Sequence, residues 1–524
     1  MNLITEEIKK ISWRQAPSIS KVVLGGPISI KEVVAVARHG AKVEFGEEYI
    51  DRVNRCRAHV DRFSKEEKAI YGITTGLGEN WNRFISQEDR EIVQRNHVLS
   101  HSCSVGEPLE EECVRAMMFV MLQHFGSGHT GMSMAPLELL AGMLNAGVVP
   151  VVPGHGSVGY ICYEAHIGSV LIGEGQAVYG GRRMKGSEAL KASGLDPVVL
   201  STKEGLTIVS GTTSVTAIGA LGLYDSLMIA QTADVAGAMS LEVLKGTLMA
   251  MGPRIQEVRP HRHQGDTASN VRRLLEDSEI ERTYRGHRVQ DALSLRCIPQ
   301  LHGAAKKILT DGLETVSVEL NSSVDNPLIF DTEDGGEALM GCNADGSYVG
   351  MACDCAIIAL TGLAKMSERR LDRTVNHHVS ELPAFLNANP GFNNGLMIPQ
   401  YAAAGLLGEM KTLSHPSTVD NGFTCANQED YTSMGANAAI KLYRGASLAK
   451  YILSIEILNA CQAQDFYDIA PSPATKAVHD RVRQEVPKVE QDAFMSPLME
   501  AIARMVKDGE ILSAAESVTG PLKF

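Results

Sequence analysis

Apolar residues at helical spacing run through this 524-residue chain beyond about residue 200. From Gln428 to Phe466 they recur mostly every three or four residues, first as Met434, Ala438 and Leu442 and then as Leu448, Ile452, Ile455 and Leu458. A helix of this length with one apolar side needs neighbours that cover that side, so the pattern predicts one rod of a helical bundle. The predicted fold class is therefore mainly α, with long helices.

Residues 1–200 have a different texture. Short helical patterns alternate there with loops rich in Gly and Pro, such as residues 149–156. Strand-like sequence is rare, and the best candidate is Asn326–Phe330, near a Gly-rich hairpin signal. Another helical region, Val482–Val506, contains Pro487 and Pro497, which are expected to break it. The sequence thus predicts a smaller mixed N-terminal part, residues 1–200, and a long-helix part, residues 201–524.

Charge and cysteine content exclude several classes of partner. The formal net charge is −13 and no basic block stands out, so a nucleic acid is not an expected partner. The ten cysteines are scattered, with neither metal-ligand spacing nor a disulfide framework. This distribution predicts no metal site and a reducing compartment. The N-terminus lacks a signal-peptide pattern, so the predicted location is cytoplasmic.

One uncharged stretch has the length of a membrane span. Gly205–Tyr224 contains no charged residue and approaches the roughly 20 residues that a span requires. The stretch is crowded with Ser, Thr and Gly, however, which is typical of a buried helix in a large assembly. We therefore expect a buried helix here and no membrane partner.

Two short segments carry side chains suited to chemistry. Tyr71–Gly78 places a phenol beside three glycines, which permit tight turns and close backbone approach, so the segment predicts either a loop that presents Tyr71 to a cleft or a turn with a packed tyrosine. Gln94–His101 contains two imidazoles four residues apart, which share one face of a helix. No third metal ligand accompanies them.

Several motifs resemble the histidine ammonia-lyase family over roughly residues 50–470. They are the Tyr71–Gly78 loop, the Leu-Ser-His stretch that ends at His101, and the segments Lys203–Thr212, Gln290–Cys297 and Ala426–Asp430. The resemblance implies a long-helix bundle and a homotetramer in which loops of several subunits complete each site. It also implies a small-molecule amino-acid substrate.

The same resemblance assigns roles to individual residues. Tyr71 takes the β-proton of the substrate, and His101 and Glu429 hold an imidazole-like ring or relay its proton. Arg296 grips the substrate carboxylate, since a guanidinium can donate two parallel hydrogen bonds to it, and Asn326 lies beside Arg296. Further substrate-binding candidates within the matching segments are Met397 and Gln428. We also expect Asn427 to cap a helix and to place Glu429 in its first turn.

The chain departs from the family at one chemical function. In the family, Gly-Ser-Val-Gly is followed by an Ala-Ser-Gly tripeptide that cyclises to methylidene-imidazolone, the electrophile that activates the amine. Here Gly156–Gly159 runs directly into Tyr160, three residues short of the pattern. Three nearby family positions also differ, at Ser210, Leu293 and Ala344. These changes predict an enzyme with no prosthetic group or other cofactor.

A substrate whose nitrogen is already quaternary needs no such activation. The sequence therefore predicts elimination of trimethylamine from a histidine-betaine-type substrate, converting ergothioneine to thiourocanate or hercynine to urocanate, as in ergothionases. Aromatic faces attract quaternary ammonium groups, so Tyr160 and Tyr163 with Glu164 are candidate binding residues for that cation, and Ser210 is a further substrate contact.

Two alternatives stay open from the sequence. The first is a methylidene-imidazolone-dependent ammonia-lyase or aminomutase that acts on histidine or an aromatic amino acid, with the matured tripeptide left out of the printed chain. The second is a catalytically inactive scaffold or ligand-binding protein. Retention of Tyr71, Arg296 and Glu429 argues against the second.

Overall fold

The computed structural model describes residues 17–66, 69–333 and 335–524, and these residues are mainly helical. The helices of the first half are α1 (Ile30–His39), α2 (Glu47–Phe63), α3 (Arg90–His101), α4 (Glu111–Phe125), α5 (Met134–Ala146), α6 (Cys162–Leu171), α7 (Gly186–Ala192), α8 (Glu204–Val209), α9 (Thr213–Val243) and α10 (Pro253–Glu257). Those of the second half are α11 (Arg262–Leu274), α12 (Glu279–Tyr284), α13 (Leu293–Arg296), α14 (Ile298–Glu319), α15 (Ser347–Val375), α16 (His377–Ser380), α17 (Met397–Leu413), α18 (Gly435–Gln464), α19 (Pro473–Arg483), α20 (Met495–Lys507) and α21 (Glu510–Thr519). Short 3₁₀ turns occur at Gly78–Asn80, Leu248–Met251, Ala384–Leu386 and Cys425–Asn427. The prediction of a mainly α fold with long helices is confirmed.

The strands are short and pair locally. β1 (Lys21–Leu24) pairs in parallel with β2 (Lys42–Phe45), and β3 (Val105–Pro108) pairs antiparallel with β5 (Pro153–His155). A three-stranded sheet has the order β4 (Val149–Pro150), β6 (Gln176–Tyr179), β7 (Arg182–Lys185). β8 (Leu328–Phe330) and β9 (Glu337–Leu339) form an antiparallel hairpin. This hairpin confirms the strand predicted at Asn326–Phe330.

The chain divides into two compact units. The first comprises the described residues up to Tyr224 together with 313–354 and 416–440, and the second comprises 225–312, 355–415 and 441–524. This division differs from the boundary predicted at residue 200, because three segments distant in sequence pack together in the first unit. Four of the boundaries between the units fall within the long helices α9, α14, α15 and α18, and the boundary at 415/416 follows α17.

Two of the helical predictions need correction. The rod predicted from Gln428 begins only at Gly435, because Met434 has φ +53°, which is incompatible with an α-helix. Pro497 does not break its helix. It lies in the first turn of α20, where backbone N–H groups have no intrahelical partner and a missing donor costs little.

The uncharged stretch 205–224 is buried, as the sequence predicts. It spans α8 and the first part of α9, and the apolar window found within Glu204–Val243 is 94% buried. That segment and Ser347–Val375, whose window is 56% buried, have the length and composition of membrane spans. A helix that is apolar on all sides has to be covered on all sides, and the protein covers nearly all of the window within Glu204–Val243.

A buried ion pair joins Lys203, the residue before α8, to Asp325 in the segment that precedes β8. Lys203 Nζ lies 2.5 Å from Asp325 Oδ2, and both side chains are almost fully buried. Thr207 Oγ1 donates to the same carboxylate oxygen at 3.0 Å, while Asp325 Oδ1 accepts the backbone N–H of Asn326 at 2.7 Å. The pair therefore fixes the backbone of Asn326.

The second unit has its own buried polar core. Asp234 accepts hydrogen bonds from His302 at 2.9 Å and from Lys306 at 2.5 Å, and all three side chains are fully buried. Arg370 donates to Glu456 through two nitrogens, at 2.5 and 2.9 Å. Because unpaired buried charges are costly, these contacts fix the relative register of the helices that carry them.

Candidate active site

A cavity of about 1230 Å³ lies within the first unit. Its wall is built from the loop at Tyr71, helix α3, the turn before α6, the end of α8, and residues 340–345 and 425–432. Of the side chains predicted to form the site, seven line this cavity: Tyr71, His101, Tyr160, Ser210, Asn326, Gln428 and Glu429. The structure thus brings together residues that lie up to 358 positions apart in the sequence.

The Tyr71 loop is closed by its own hydroxyl. Tyr71 Oη accepts a hydrogen bond from the backbone N–H of Gly78 at 3.0 Å. Gly78 has φ +56°, and a Cβ there would lie 2.3 Å from Cys425 Sγ, so glycine is required on both counts. Burial raises the pKa of Tyr71, and Glu429 adds to the rise while the Gly78 N–H opposes it. The phenol is therefore protonated at rest.

Glu429 is held by two hydroxyl groups. Its Oε2 accepts from Tyr160 Oη and from Thr424 Oγ1, each at 3.0 Å. The predicted place of Glu429 in the first turn of a helix is wrong. The residue pairs through its backbone with Thr424, following the left-handed residues Cys425–Asn427, and helix α18 begins six residues later.

Two histidines share one wall of the cavity. His101 Nδ1 donates to the backbone carbonyl of His97 at 2.7 Å, and the two rings meet edge to face with centroids 6.4 Å apart. Burial lowers the pKa of His101, although the His97 carbonyl and Glu429 oppose the change. Since a carbonyl only accepts, Nδ1 carries the hydrogen, and Nε2 of the neutral ring is an acceptor.

Asn326 and Ser210 present smaller polar groups. Asn326 Oδ1 accepts the backbone N–H of Gly341 at 3.0 Å, and this contact fixes the orientation of the side-chain amide. The NH₂ group of the amide is then the part that can donate to a ligand. Ser210 is buried at the end of α8. Gln428 is exposed at the cavity wall.

The position of the family's electrophile is occupied by Tyr160. Gly159 has φ +133°, and a Cβ there would lie 2.5 Å from Ser433 Oγ. Tyr160 follows, lines the cavity and donates to Glu429, and Ile161 has φ +83° before α6 begins at Cys162. Burial and Glu429 raise the pKa of the Tyr160 phenol.

The residues present do not fit methylidene-imidazolone. The chain contains one Ala-Ser-Gly sequence, Ala192–Gly194, and it lies at the C-terminal end of α7, away from the residues that line the cavity. At the position implied by the resemblance, the backbone passes from Gly159 to a bulky side chain that is hydrogen-bonded across the cavity. No step below is routed through this group.

Tyr163 and Glu164 lie outside the cavity lining. Tyr163 is buried and its hydroxyl donates to the Gly154 carbonyl at 2.8 Å. Glu164 is fully buried, and its Oε1 accepts the backbone N–H of Ser214 at 2.7 Å, at the N-terminal end of α9. These side chains therefore fix the start of α6 in the core. Of the three predicted cation-binding residues, only Tyr160 faces the cavity.

Replacing Glu164 with glutamine tests this structural role through pH. Burial raises the pKa of Glu164, so the wild-type protein takes up a proton there on folding. Its contribution to stability is complete below the unfolded pKa of about 4.3 and declines as pH rises toward the folded value. We expect the free energy of unfolding of the wild type, relative to E164Q, to fall over that window in urea titrations. Parallel pH profiles would contradict the assignment.

Arg296 and Met397 belong to the second unit. Arg296 ends the short helix α13, and its Nε donates to no group among the described residues. Met397 is the first residue of α17. Neither residue is among those that line the cavity of the first unit.

Among the lining residues to which the sequence assigned no role are His97, Cys342 and Cys425. The His97 signal was present, because it lies four residues before His101 on the same helical face. The two cysteines stand in irregular segments, where no periodicity indicates the direction of a side chain. Burial raises the pKa of Cys342, with Asp345 and Glu429 adding to the effect.

Comparison with known proteins defines the class. The family model for aromatic amino acid lyases matches residues 28–484. The chain belongs to this family, and it is an enzyme, a carbon–nitrogen lyase. A relative named histidine ammonia-lyase, from Symbiobacterium thermophilum, is 43% identical over 96% of this chain and 99% of its own. Another with that name, from Alkaliphilus oremlandii, is 41% identical over 95% of this chain and 99% of its own.

Solved structures agree on the fold. The crystal structure of histidine ammonia-lyase from Trypanosoma cruzi is 32% identical, covers 95% of each chain and superposes with a TM-score of 0.89. Ergothionase from Treponema denticola is 25% identical over 94% of this chain and 99% of its own, with a TM-score of 0.85.

The predicted elimination of trimethylamine is wrong. Five relatives named histidine ammonia-lyase are 40–43% identical over 94–96% of this chain, whereas ergothionase is a more distant neighbour. The missing tripeptide is one local difference in a chain that is otherwise similar to these relatives along nearly its full length, so it does not determine the substrate. The relatives favour the alternative that names histidine or an aromatic amino acid as substrate.

Proposed function

We propose that this protein is an ammonia-lyase that removes ammonia from histidine or a closely related amino acid with an imidazole ring. The observation that carries the proposal is the convergence of Tyr71, His101, Asn326 and Glu429 on one cavity. The names of the relatives support the same substrate. The scattered free cysteines support a cytoplasmic enzyme.

The site offers complementary groups to each part of the substrate. The Nε2 acceptor of His101 suits the N–H of a neutral imidazole, and the amide of Asn326 suits the carboxylate. Arg296 is the proposed cationic partner of that carboxylate, by bidentate hydrogen bonding. Met397 and Gln428 are proposed to complete the ring pocket. We also propose that the protein is a homotetramer, as in the family that it resembles.

The reaction breaks two bonds and forms one double bond. The Tyr71 phenolate accepts the β-proton, and the electrons of the Cβ–H bond become the new C=C bond. The electron pair of the Cα–N bond leaves with the nitrogen. The α-ammonium nitrogen departs as neutral ammonia. Because the pKa of Tyr71 is raised at rest, its phenolate requires a cation, and the substrate's ammonium group supplies one.

The test is product formation by the purified protein. L-Histidine, L-phenylalanine and L-tyrosine are incubated separately, with ammonia measured by a coupled dehydrogenase and the conjugated acid by ultraviolet absorbance. We expect ammonia and conjugated product in equal amounts from histidine, at a kcat/KM well above that for the other two. Absence of ammonia from histidine, or preference for tyrosine, would overturn the proposal. In the same preparation, peptide mass spectrometry of residues 156–166 determines whether the chain is chemically modified at the position of the family's electrophile.

A further inference from the structure

The ring wall of the cavity contains a second imidazole. His97 lies one helical turn before His101 on α3, and both rings line the cavity. The rings meet edge to face, with an interplanar angle of 76°. An imidazole-binding pocket therefore already contains two protein imidazoles in contact.

His97 has unused hydrogen-bonding capacity. Neither of its ring nitrogens has a hydrogen-bond partner among the residues that the structure describes, and its Nδ1 is sealed from solvent. Burial lowers its pKa to about 4, and His101 adds to the effect, so the ring is neutral near pH 7. A neutral imidazole has one N–H donor and one bare nitrogen. A leucine would cover the same wall without leaving polar atoms unpaired.

We propose that His97 is a specificity-determining residue that pairs with His101 to select an imidazole ring. His101 Nε2 accepts from the N–H of the substrate ring, while His97 donates from Nε2–H to the other ring nitrogen, since its Nδ1 is sealed from solvent. A phenyl ring satisfies neither group. The inference rests on the proposed function, because it concerns how that site recognises its substrate.

The magnitude follows from unpaired polar groups. A buried donor left without a partner costs about 1–3 kcal/mol. A site built to hydrogen-bond a substrate therefore rejects an analogue that lacks the group far better than a hydrophobic pocket rejects an extra methylene. Replacing His97 removes this penalty for a phenyl ring and removes one hydrogen bond to an imidazole ring.

The experiment compares His97→Leu and His97→Gln with the parent and with Asn96→Leu, a control at an exposed neighbour on α3. We expect His97→Leu to lower the ratio of kcat/KM for L-histidine over L-phenylalanine by on the order of 10-fold or more. Most of the change should be in KM. His97→Gln, which keeps a donor and an acceptor, should retain most of the preference, and Asn96→Leu should retain all of it.

A binding measurement separates this inference from the proposed reaction. In a Tyr71→Phe background, calorimetry with L-histidine and L-phenylalanine requires no turnover. Weaker histidine binding in His97→Leu, with phenylalanine binding unchanged or tighter, supports the inference even where the wild type releases no ammonia. Equal loss of both ligands, unchanged histidine affinity, or no histidine binding by the parent would overturn it. Thermal unfolding confirms that each variant is folded.

Discussion

Replacing Tyr71 with phenylalanine is expected to lower kcat for ammonia release by about 10²–10⁴-fold, the usual contribution of a positioned general base. The phenol lies in the glycine loop that lines the cavity, and the substitution removes its hydroxyl but keeps the ring. The substitution also removes the acceptor of the Gly78 N–H, worth about 1 kcal/mol, so the fold should survive.

The measurement is kcat with histidine, alongside thermal unfolding. Tyr348→Phe removes an exposed hydroxyl from outside the cavity and should leave kcat unchanged. The pH profile adds a second criterion. A base works in its deprotonated form, so the raised pKa of Tyr71 in the free enzyme places the rising limb of kcat/KM at alkaline pH, and that limb should be absent from Tyr71→Phe. Retention of more than a tenth of kcat would remove Tyr71 from the mechanism.

Replacing Lys203 with methionine is expected to lower the free energy of unfolding by about 3–5 kcal/mol, because it leaves Asp325 buried without its cation. Thr207 keeps its hydrogen bond to the same carboxylate but supplies no charge. The effect should appear as a lower midpoint in urea unfolding. KM for histidine should rise as well, since Asp325 fixes the backbone of Asn326.

Two further variants test whether the large effect expected for Lys203→Met depends on the burial of its ion pair. Lys203→Met combined with Asp325→Leu removes both charges and should recover part of the lost stability. Lys21→Met breaks a pair with Glu44 in which both side chains are about half exposed, and it should change stability by less than about 1 kcal/mol. Equal effects of Lys203→Met and Lys21→Met would show that burial of the Lys203 pair has no special importance.

The sequence predicted those parts of the structure that depend on local patterns. Helical periodicity identified the long helices, alternation identified the β8–β9 hairpin, and the glycines around Tyr71 indicated a closely packed loop. Resemblance identified some of the residues that line the cavity. The sequence could not distinguish Tyr160, which lines the cavity, from Tyr163 three residues later, which is buried in the core.

Other features depend on long-range contacts that a single sequence does not contain. Met434 has a side chain compatible with a helix, yet its φ is positive and α18 begins only at Gly435. Glu164 was predicted to bind the substrate cation, but its buried carboxylate accepts the backbone N–H of Ser214, fifty residues away. Arg296 carries a strong motif, and its environment belongs to another compact unit.

The left-handed run before Glu429 fixes the position of that carboxylate. Cys425, Ala426 and Asn427 have φ between 52° and 69°, a conformation that costs an L-residue roughly 1–2 kcal/mol each. The folded protein holds these residues in the strained conformation, so the Glu429 carboxylate is in place before any ligand binds. Such preorganisation means that little rearrangement of this carboxylate is left when a ligand binds. It also means that Ala426→Gly, because glycine adopts the same positive φ without strain, is expected to raise the free energy of unfolding and to leave the carboxylate in place.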